Sequence, residues 1–175
     1  MQRLPNSKSY LNTILNVDRV VSVAFHLNLQ NESVTECSTE PVCVSPDLSV
    51  RNAIEKMKDE RRGSVSVCRD GKLVGIFTER DALRLMSKRE CVDVPIETVM
   101  THDPATVRET DTVETAIKAM ADGGYRRLPI VNADGQPTGL VKVSDILHYL
   151  VQHFPEYVYN LPPKPGMSAP TREGA

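Results

Sequence analysis

An α/β fold made of two βαββα units, each with a small three-stranded sheet and its helices, is what the sequence predicts. Three observations predict it. The chain overlaps itself at a near-constant offset, each copy carries one apolar helical stripe, and each copy holds an Asp-Gly turn between two β-type runs. Slid by 63 positions, Val44 falls on Val107, Val50 on Val113, Ala53 on Ala116, Ile54 on Ile117, Met57 on Met120 and Asp59 on Asp122. One further residue of offset places Asp70-Gly71 on Asp134-Gly135, Gly75 on Gly139, Asp81 on Asp145 and Leu83 on Leu147. Ordered matches with a single insertion in the second copy mark a tandem duplication.

The elements come in the same order in each copy. A short strand opens it, Val42-Cys43-Val44 in one and Ala105-Thr106-Val107 in the other. A turn then leads into a helix whose residues Val50, Ala53, Ile54 and Met57 lie at i, i+3, i+4 and i+7, on one face. Val113, Ala116, Ile117 and Met120 repeat that stripe, and both stripes are core. Two apolar runs follow, Ser64 to Cys68 and Leu73 to Phe77, around Asp70-Gly71. Their counterparts, Leu128 to Val131 and Thr138 to Val141, flank Asp134-Gly135. Asp-Gly suits a hairpin because both central residues tolerate positive φ. A second helix closes each unit, from about Asp81 to Met86 and from Asp145 to about His153. Either unit alone is too small to bury a good core, so the copies are expected to pack together. The flanks do not repeat. An apolar patch from Val17 to Leu29 can add a strand or helix, and the tail from Leu161 onward, rich in Pro, is expected to be extended or disordered.

Composition narrows the function. At 40% hydrophobic and 25% charged the chain is an ordinary globular one. A formal charge of −2, no Trp and 5% aromatic residues argue against a nucleic-acid surface with its basic stripe and stacking platforms. No apolar run approaches the ~18 residues a membrane span needs. Cys37, Cys43, Cys68 and Cys91 form no C-x-x-C pair and have no His at metal-ligand spacing. They read as reduced, mostly buried thiols of a reducing cytosol. The four His residues are scattered, and no nucleophile–base–acid set is visible.

The most informative motif opens the second helix of each unit: Gly75-Ile76-Phe77-Thr78-Glu79-Arg80-Asp81 and Gly139-Leu140-Val141-Lys142-Val143-Ser144-Asp145. An Asp where a helix begins is a favoured N-cap. A carboxylate also has two acceptor oxygens, enough to hold both hydroxyls of a ribose diol, and a helix N-terminus favours a phosphate. Spacing alone leaves both readings open. Arg126-Arg127 is similarly open between a solvated or carboxylate-paired dipeptide and a phosphate fork.

A duplicated unit ending in G-h-h-[ST]-x-x-D, with h apolar, together with the helix stripe and Leu128-Pro129-Ile130-Val131, resembles the cystathionine-β-synthase (CBS) domain. The tandem, about residues 36 to 153, is similar to a CBS pair, or Bateman module. The resemblance implies a pseudo-twofold pair with two clefts that take AMP, ADP, ATP or S-adenosylmethionine as a regulatory ligand, with no cofactor required. It also implies dimerisation of modules through helices, and hence a homodimer. Carried onto this chain, one cleft holds Asp81 and Thr78, with Ala105 and Tyr125 near the base. The other holds Asp145, with Val42 and Arg62 from the first unit and Arg127, beside Arg126, positioned for phosphate. There Lys142 replaces the usual hydroxyl residue, which disturbs the standard ribose contacts while offering an ammonium to a phosphate.

On this reading residues 1–35 are an N-terminal extension, 36–100 the first unit, 101–160 the second and 161–175 a disordered tail. The expected function is that of a stand-alone, cytoplasmic, non-enzymatic sensor of an adenosine-type nucleotide, acting on a regulated protein in trans, without nucleic acid or membrane. The alternative is a structural or protein-interaction module with degenerate clefts.

Overall fold

The computed structural model describes residues 29–154, so the apolar patch before Leu29 and the Pro-rich tail lie outside the described residues. The first unit contains β2 (Cys43–Val44), α1 (Val50–Asp59), β3 (Ser64–Arg69), β4 (Lys72–Thr78) and α2 (Glu79–Lys88). The second contains β6 (Val107–Arg108), α3 (Val113–Gly123), β7 (Arg127–Val131), β8 (Pro137–Lys142) and α4 (Val143–His153). The expected βαββα order is therefore present twice.

The sheets, however, are four-stranded rather than three-stranded. Two further strands, β1 (Ser38–Thr39) and β5 (Thr101–His102), precede the two units, and each pairs with the sheet of the other. The orders are β2-β3-β4-β5 and β1-β8-β7-β6. Ser38 lies opposite Val141 and Thr39 opposite Leu140, while Thr101 lies opposite Ile76 and His102 opposite Gly75, all antiparallel. The reason is edge chemistry. Without β1 and β5, strands β8 and β4 would present a free row of N–H and C=O groups. The exchange also accounts for Gly75 and Gly139. A Cβ on Gly75 would lie 2.3 Å from the Met100 sulfur, and one on Gly139 would lie 3.0 Å from Ile130 and 3.3 Å from Ser38.

The helices begin where side chains cap them. Ser49 Oγ accepts from the Asn52 N–H (3.2 Å) at α1, and Thr112 Oγ1 accepts from the Thr115 N–H (3.2 Å) at α3. In the first hairpin Asp70 and Gly71 both have positive φ (52° and 77°). In the second only Gly135 does, because the inserted residue lengthens the turn and Asn132 organises it instead. Asn132 Oδ1 accepts from the N–H groups of Asp134 (3.0 Å) and Gln136 (2.9 Å).

Two cores result, one per unit, and they trade material. Val50, Ala53, Met57, Val65, Val67, Phe77 and Leu85 form the first, joined by Ile96 and Met100 from the segment entering the second unit. Val107, Val113, Ile117, Leu128, Ile130, Val141, Ile146 and Leu150 form the second, joined by Leu29, Val34 and Cys37 from the segment entering the first. The two hairpins also meet, the Leu73 N–H donating to the Gly135 carbonyl (2.9 Å). The cysteines depart from the expectation of mostly buried thiols. Cys37 alone is buried, Cys68 is half-buried, and Cys43 and Cys91 are exposed. Cys43 sits on a two-residue strand at the edge of its sheet and Cys91 in the loop after α2, and neither position is covered by a helix.

Candidate functional site

The two G-h-h-x-x-x-D motifs fold alike. In each, a strand ends at the fourth motif position and a helix starts at the next, so Thr78 and Lys142 hold the N-cap positions. Asp81 and Asp145 are the third residues of their helices. The sequence-based placement of Asp as the cap is corrected accordingly: an Asp at this position reaches back to the cap residue, in the manner of a capping box. The chain before each helix is held the same way, with the Gly63 carbonyl accepting from the Glu79 N–H (3.1 Å) and the Arg126 carbonyl from the Val143 N–H (3.1 Å).

The two carboxylates nevertheless differ in what they do. Asp81 is buried and engaged within its own turn. Its Oδ2 accepts from the Thr78 N–H (3.0 Å) and the Thr78 hydroxyl (2.7 Å), and its Oδ1 lies 3.7 Å from the Arg84 guanidinium. Asp145 uses only one oxygen. Its Oδ1 lies 3.2 Å from the Lys142 ammonium and accepts from the Ser144 hydroxyl (3.3 Å). Its Oδ2 is buried and, among the described residues, has no hydrogen-bond partner. A buried acceptor left unmatched costs about 1–3 kcal/mol, so such an atom calls for an explanation. The Cys37 thiol is pushed up to about 12, by its burial first and then by the negative charge of Asp145.

The remaining candidates divide between the two motifs. Arg127 opens β7 opposite Lys142 on β8 and reaches the first unit. There its Nη1 donates to the Gly63 carbonyl (2.8 Å) and its Nη2 lies 3.3 Å from Glu79 Oε2. Asp145, Lys142, Arg127 and the Arg62-Gly63 turn thus form one continuous chain of neighbours. Arg62 is half-buried and Arg126 exposed. Val42 ends the crossover from β1 to β2, and its carbonyl accepts from the Ser66 N–H (2.8 Å). Ala105 occupies the matching crossover from β5 to β6 and packs against the second core. Tyr125 is exposed beyond α3, its ring filling the space where a Cβ on Gly123 would sit. Glu79, Gly63 and Cys37 were not among the residues singled out from sequence. Nothing local marks them, since Arg127 and Asp145, which they meet, belong to the other unit.

Around Asp145, among the described residues, one acceptor oxygen stands without a partner, the Lys142 ammonium lies beside the other, and the Arg127 guanidinium, held by Gly63 and Glu79, lies one strand away. Among the described residues no group of three or more His, Cys, Asp or Glu is placed to hold a metal ion, and no helix is long and apolar enough to cross a membrane.

Known proteins are similar to this chain in sequence and fold. The family model for the CBS domain matches residues 33–88 and again 96–152. An uncharacterized 17.7 kDa protein of Acidianus ambivalens is 34% identical over 115 residues, 65% of this chain and 70% of that one. The CBS domain-containing protein YhcV of Bacillus subtilis is 31% identical over 110 residues, 62% of this chain and 78% of that one. The crystal structure of CBSX2, a CBS-pair protein of Arabidopsis thaliana, in complex with AMP matches with a TM-score of 0.61 at 26% identity, covering 70% of this chain and 98% of that one. Across three archaeal relatives the matched stretch spans from 28% to 70% of their own length.

Proposed function

The chain belongs to the CBS-domain family as a tandem pair, a Bateman module, and from that premise we propose that it senses an adenosine-type nucleotide: AMP, ADP, ATP or S-adenosylmethionine. The family is one of regulatory, non-catalytic modules. The observation that carries the proposal is Asp145 Oδ2, a buried acceptor at the start of a helix with no partner among the described residues. A ribose hydroxyl would satisfy it. Lys142 would then face the phosphate, Arg127 would join it only by releasing Glu79, and Val42 and Arg62 would complete the cleft. AMP in the CBSX2 structure supports the ligand class.

The Asp81 cleft favours the other reading, a structural one. Thr78 and Arg84 already engage both oxygens of Asp81, so a ligand there must displace internal bonds. We therefore assign the Asp145 cleft as the principal site, with Asp81, Thr78, Ala105 and Tyr125 forming a weaker or silent one.

Mass action sets the size of the expected signal. A ligand bound only by the folded state adds about 2.7 kcal/mol at a hundredfold excess over Kd. That corresponds to roughly 5–10 °C in melting temperature for a domain of this size. Isothermal titration and a thermal-shift series against AMP, ADP, ATP and S-adenosylmethionine are expected to give binding and such a shift for at least one. If all four leave the melting temperature unmoved at millimolar concentration, the sensor reading fails.

The module is also assigned to the cytoplasm, as a homodimer acting on a partner protein in trans. Leu83 and Met86 lie one turn apart on α2 and are 65% and 67% exposed, which suits a helix-mediated contact with a second copy. Light scattering at micromolar concentration is expected to report twice the 19.4 kDa chain mass. A Leu83→Lys, Met86→Lys double variant is expected to revert to the chain mass. A wild-type mass equal to one chain contradicts the dimer.

A further inference from the structure

Two thiols that nucleotide sensing does not use lie side by side on the first sheet. Strand β2 runs parallel to β3 with Cys43 directly opposite Ser66, and Cys68 follows Ser66 by one pleat period. Side chains two residues apart share a face, so Cys43 and Cys68 are diagonal neighbours on adjacent strands. Cys43 is exposed and Cys68 half-buried. The Cys68 sulfur lies 3.9 Å from the Ser66 carbonyl oxygen, within its own strand. The other two cysteines sit elsewhere, Cys37 in the second core and Cys91 in the loop after α2.

The surroundings make the two thiols unequal. The neighbouring Cys68 thiol holds the Cys43 thiol down to about 7, against partial burial and with help from the charge of Lys56. The same neighbour relation, with burial, drives the Cys68 thiol upward. Near neutral pH a substantial share of Cys43 is therefore thiolate, the residue is exposed, and a protonated thiol stands next to it. An accessible, low-pKa cysteine poised beside a resolving one is the arrangement that makes a redox-sensitive pair.

We propose that Cys43 and Cys68 are a peroxide-sensitive dithiol that closes reversibly into a disulfide joining β2 to β3. The Cys43 thiolate attacks one oxygen of hydrogen peroxide and breaks the O–O bond. Cys43 becomes a sulfenic acid, and the departing hydroxide takes a proton to give water. The Cys68 sulfur then attacks the Cys43 sulfur, the S–S bond forms, and the sulfenic oxygen leaves as a second water carrying the Cys68 proton. In sum two thiols and one peroxide give one disulfide and two waters, and a thiol reductant reverses the oxidation. A disulfide needs Cα atoms ~4.4–6.8 Å apart, so closure draws β2 locally toward β3. Strand β2 has only two residues and lies at the sheet edge, where such a shift meets least resistance.

The test uses the full reduced chain with one equivalent of hydrogen peroxide at pH 7.5, then alkylation and tandem mass spectrometry. A loss of 2 Da (two hydrogens) is expected, located to a Cys43–Cys68 linkage, with Cys91 recovered in alkylated form. Before oxidation, the rate of Cys43 alkylation by iodoacetamide is expected to rise through an inflection near pH 7. Cys68→Ser should abolish the linkage and leave a Cys43 sulfenic acid that dimedone traps, while Cys91→Ser leaves the linkage intact. Exposed Cys43→Ser serves as the second variant, losing the linkage with an unchanged melting temperature. Cys43 and Cys68 fully alkylated after peroxide, or a linkage through Cys91 or to a second chain, overturns the proposal. No nucleotide enters any of these measurements, so their outcome is independent of the ligand reading.

Discussion

Replacing Asp145 with Asn is expected to weaken nucleotide binding by at least ~10-fold while leaving the free protein folded. A hydrogen bond to a charged group contributes about 1.5–3 kcal/mol, and 1.4 kcal/mol is a factor of ten in affinity. Asn keeps one acceptor oxygen and loses both the charge and the second acceptor, so the diol can no longer be held by two oxygens. The free protein has little to lose. Oδ2 of Asp145 has no partner among the described residues, and only the Lys142 pair and the Ser144 contact at Oδ1 are weakened. Asp81 reverses the balance. Its carboxylate closes the first turn of α2 through two bonds from Thr78, so Asp81→Ala should cost about 1–3 kcal/mol of stability and change affinity little. A 2′-deoxy nucleotide should lose affinity against the wild type and little more against Asp145→Asn. Titration of the three proteins with the two ligands checks the set. Wild-type affinity in Asp145→Asn would remove the residue-level basis of the sensor reading.

Phe77→Ala is expected to be the most damaging single change to stability. Phe77 is fully buried on β4, among the largest side chains of the first core. Truncating a buried Phe to Ala costs about 3–5 kcal/mol through lost transfer energy and the cavity left behind. For a domain of this size that lowers the melting temperature by roughly 10–20 °C. Val141, the repeat equivalent of Phe77, is buried as completely but is smaller, so Val141→Ala should cost about half as much. Both variants should melt in a single transition. The strand exchange and the Leu73–Gly135 bond tie each core to the other, so neither unit loses its structure alone. Calorimetry decides this: a Phe77→Ala shift under about 5 °C, or two resolved transitions, contradicts it.

Much of the fold was legible in the residues. The stripe Val50, Ala53, Ile54, Met57 and its repeat specify two helices with a buried face, because a period of 3.6 is written in adjacent side chains. Asp70-Gly71 marks its hairpin by the same local logic, since few residues accept positive φ at both positions. Asp81 and Asp145 could be found because their motif occurs twice at one spacing.

The sequence by itself thus determined the duplicated βαββα unit, its helices and hairpins, and the pair of Asp residues at the helix starts. Tertiary structure alone decided how the copies join and how their sites differ. Strands β1 and β5 are two residues each, too short for any period to announce, and exist because an open edge in the other unit accepts them. Arg127 reads as a solvated or phosphate-facing cation until the fold brings Gly63 and Glu79 to it. Asp81 and Asp145 stand at equivalent positions, but Thr78 can give Asp81 two hydrogen bonds where Lys142 leaves one oxygen of Asp145 unmatched. The physical reason is common to all three. Periodicity and turn chemistry are properties of neighbouring residues, whereas satisfaction of a buried polar group depends on which distant atoms the packing delivers.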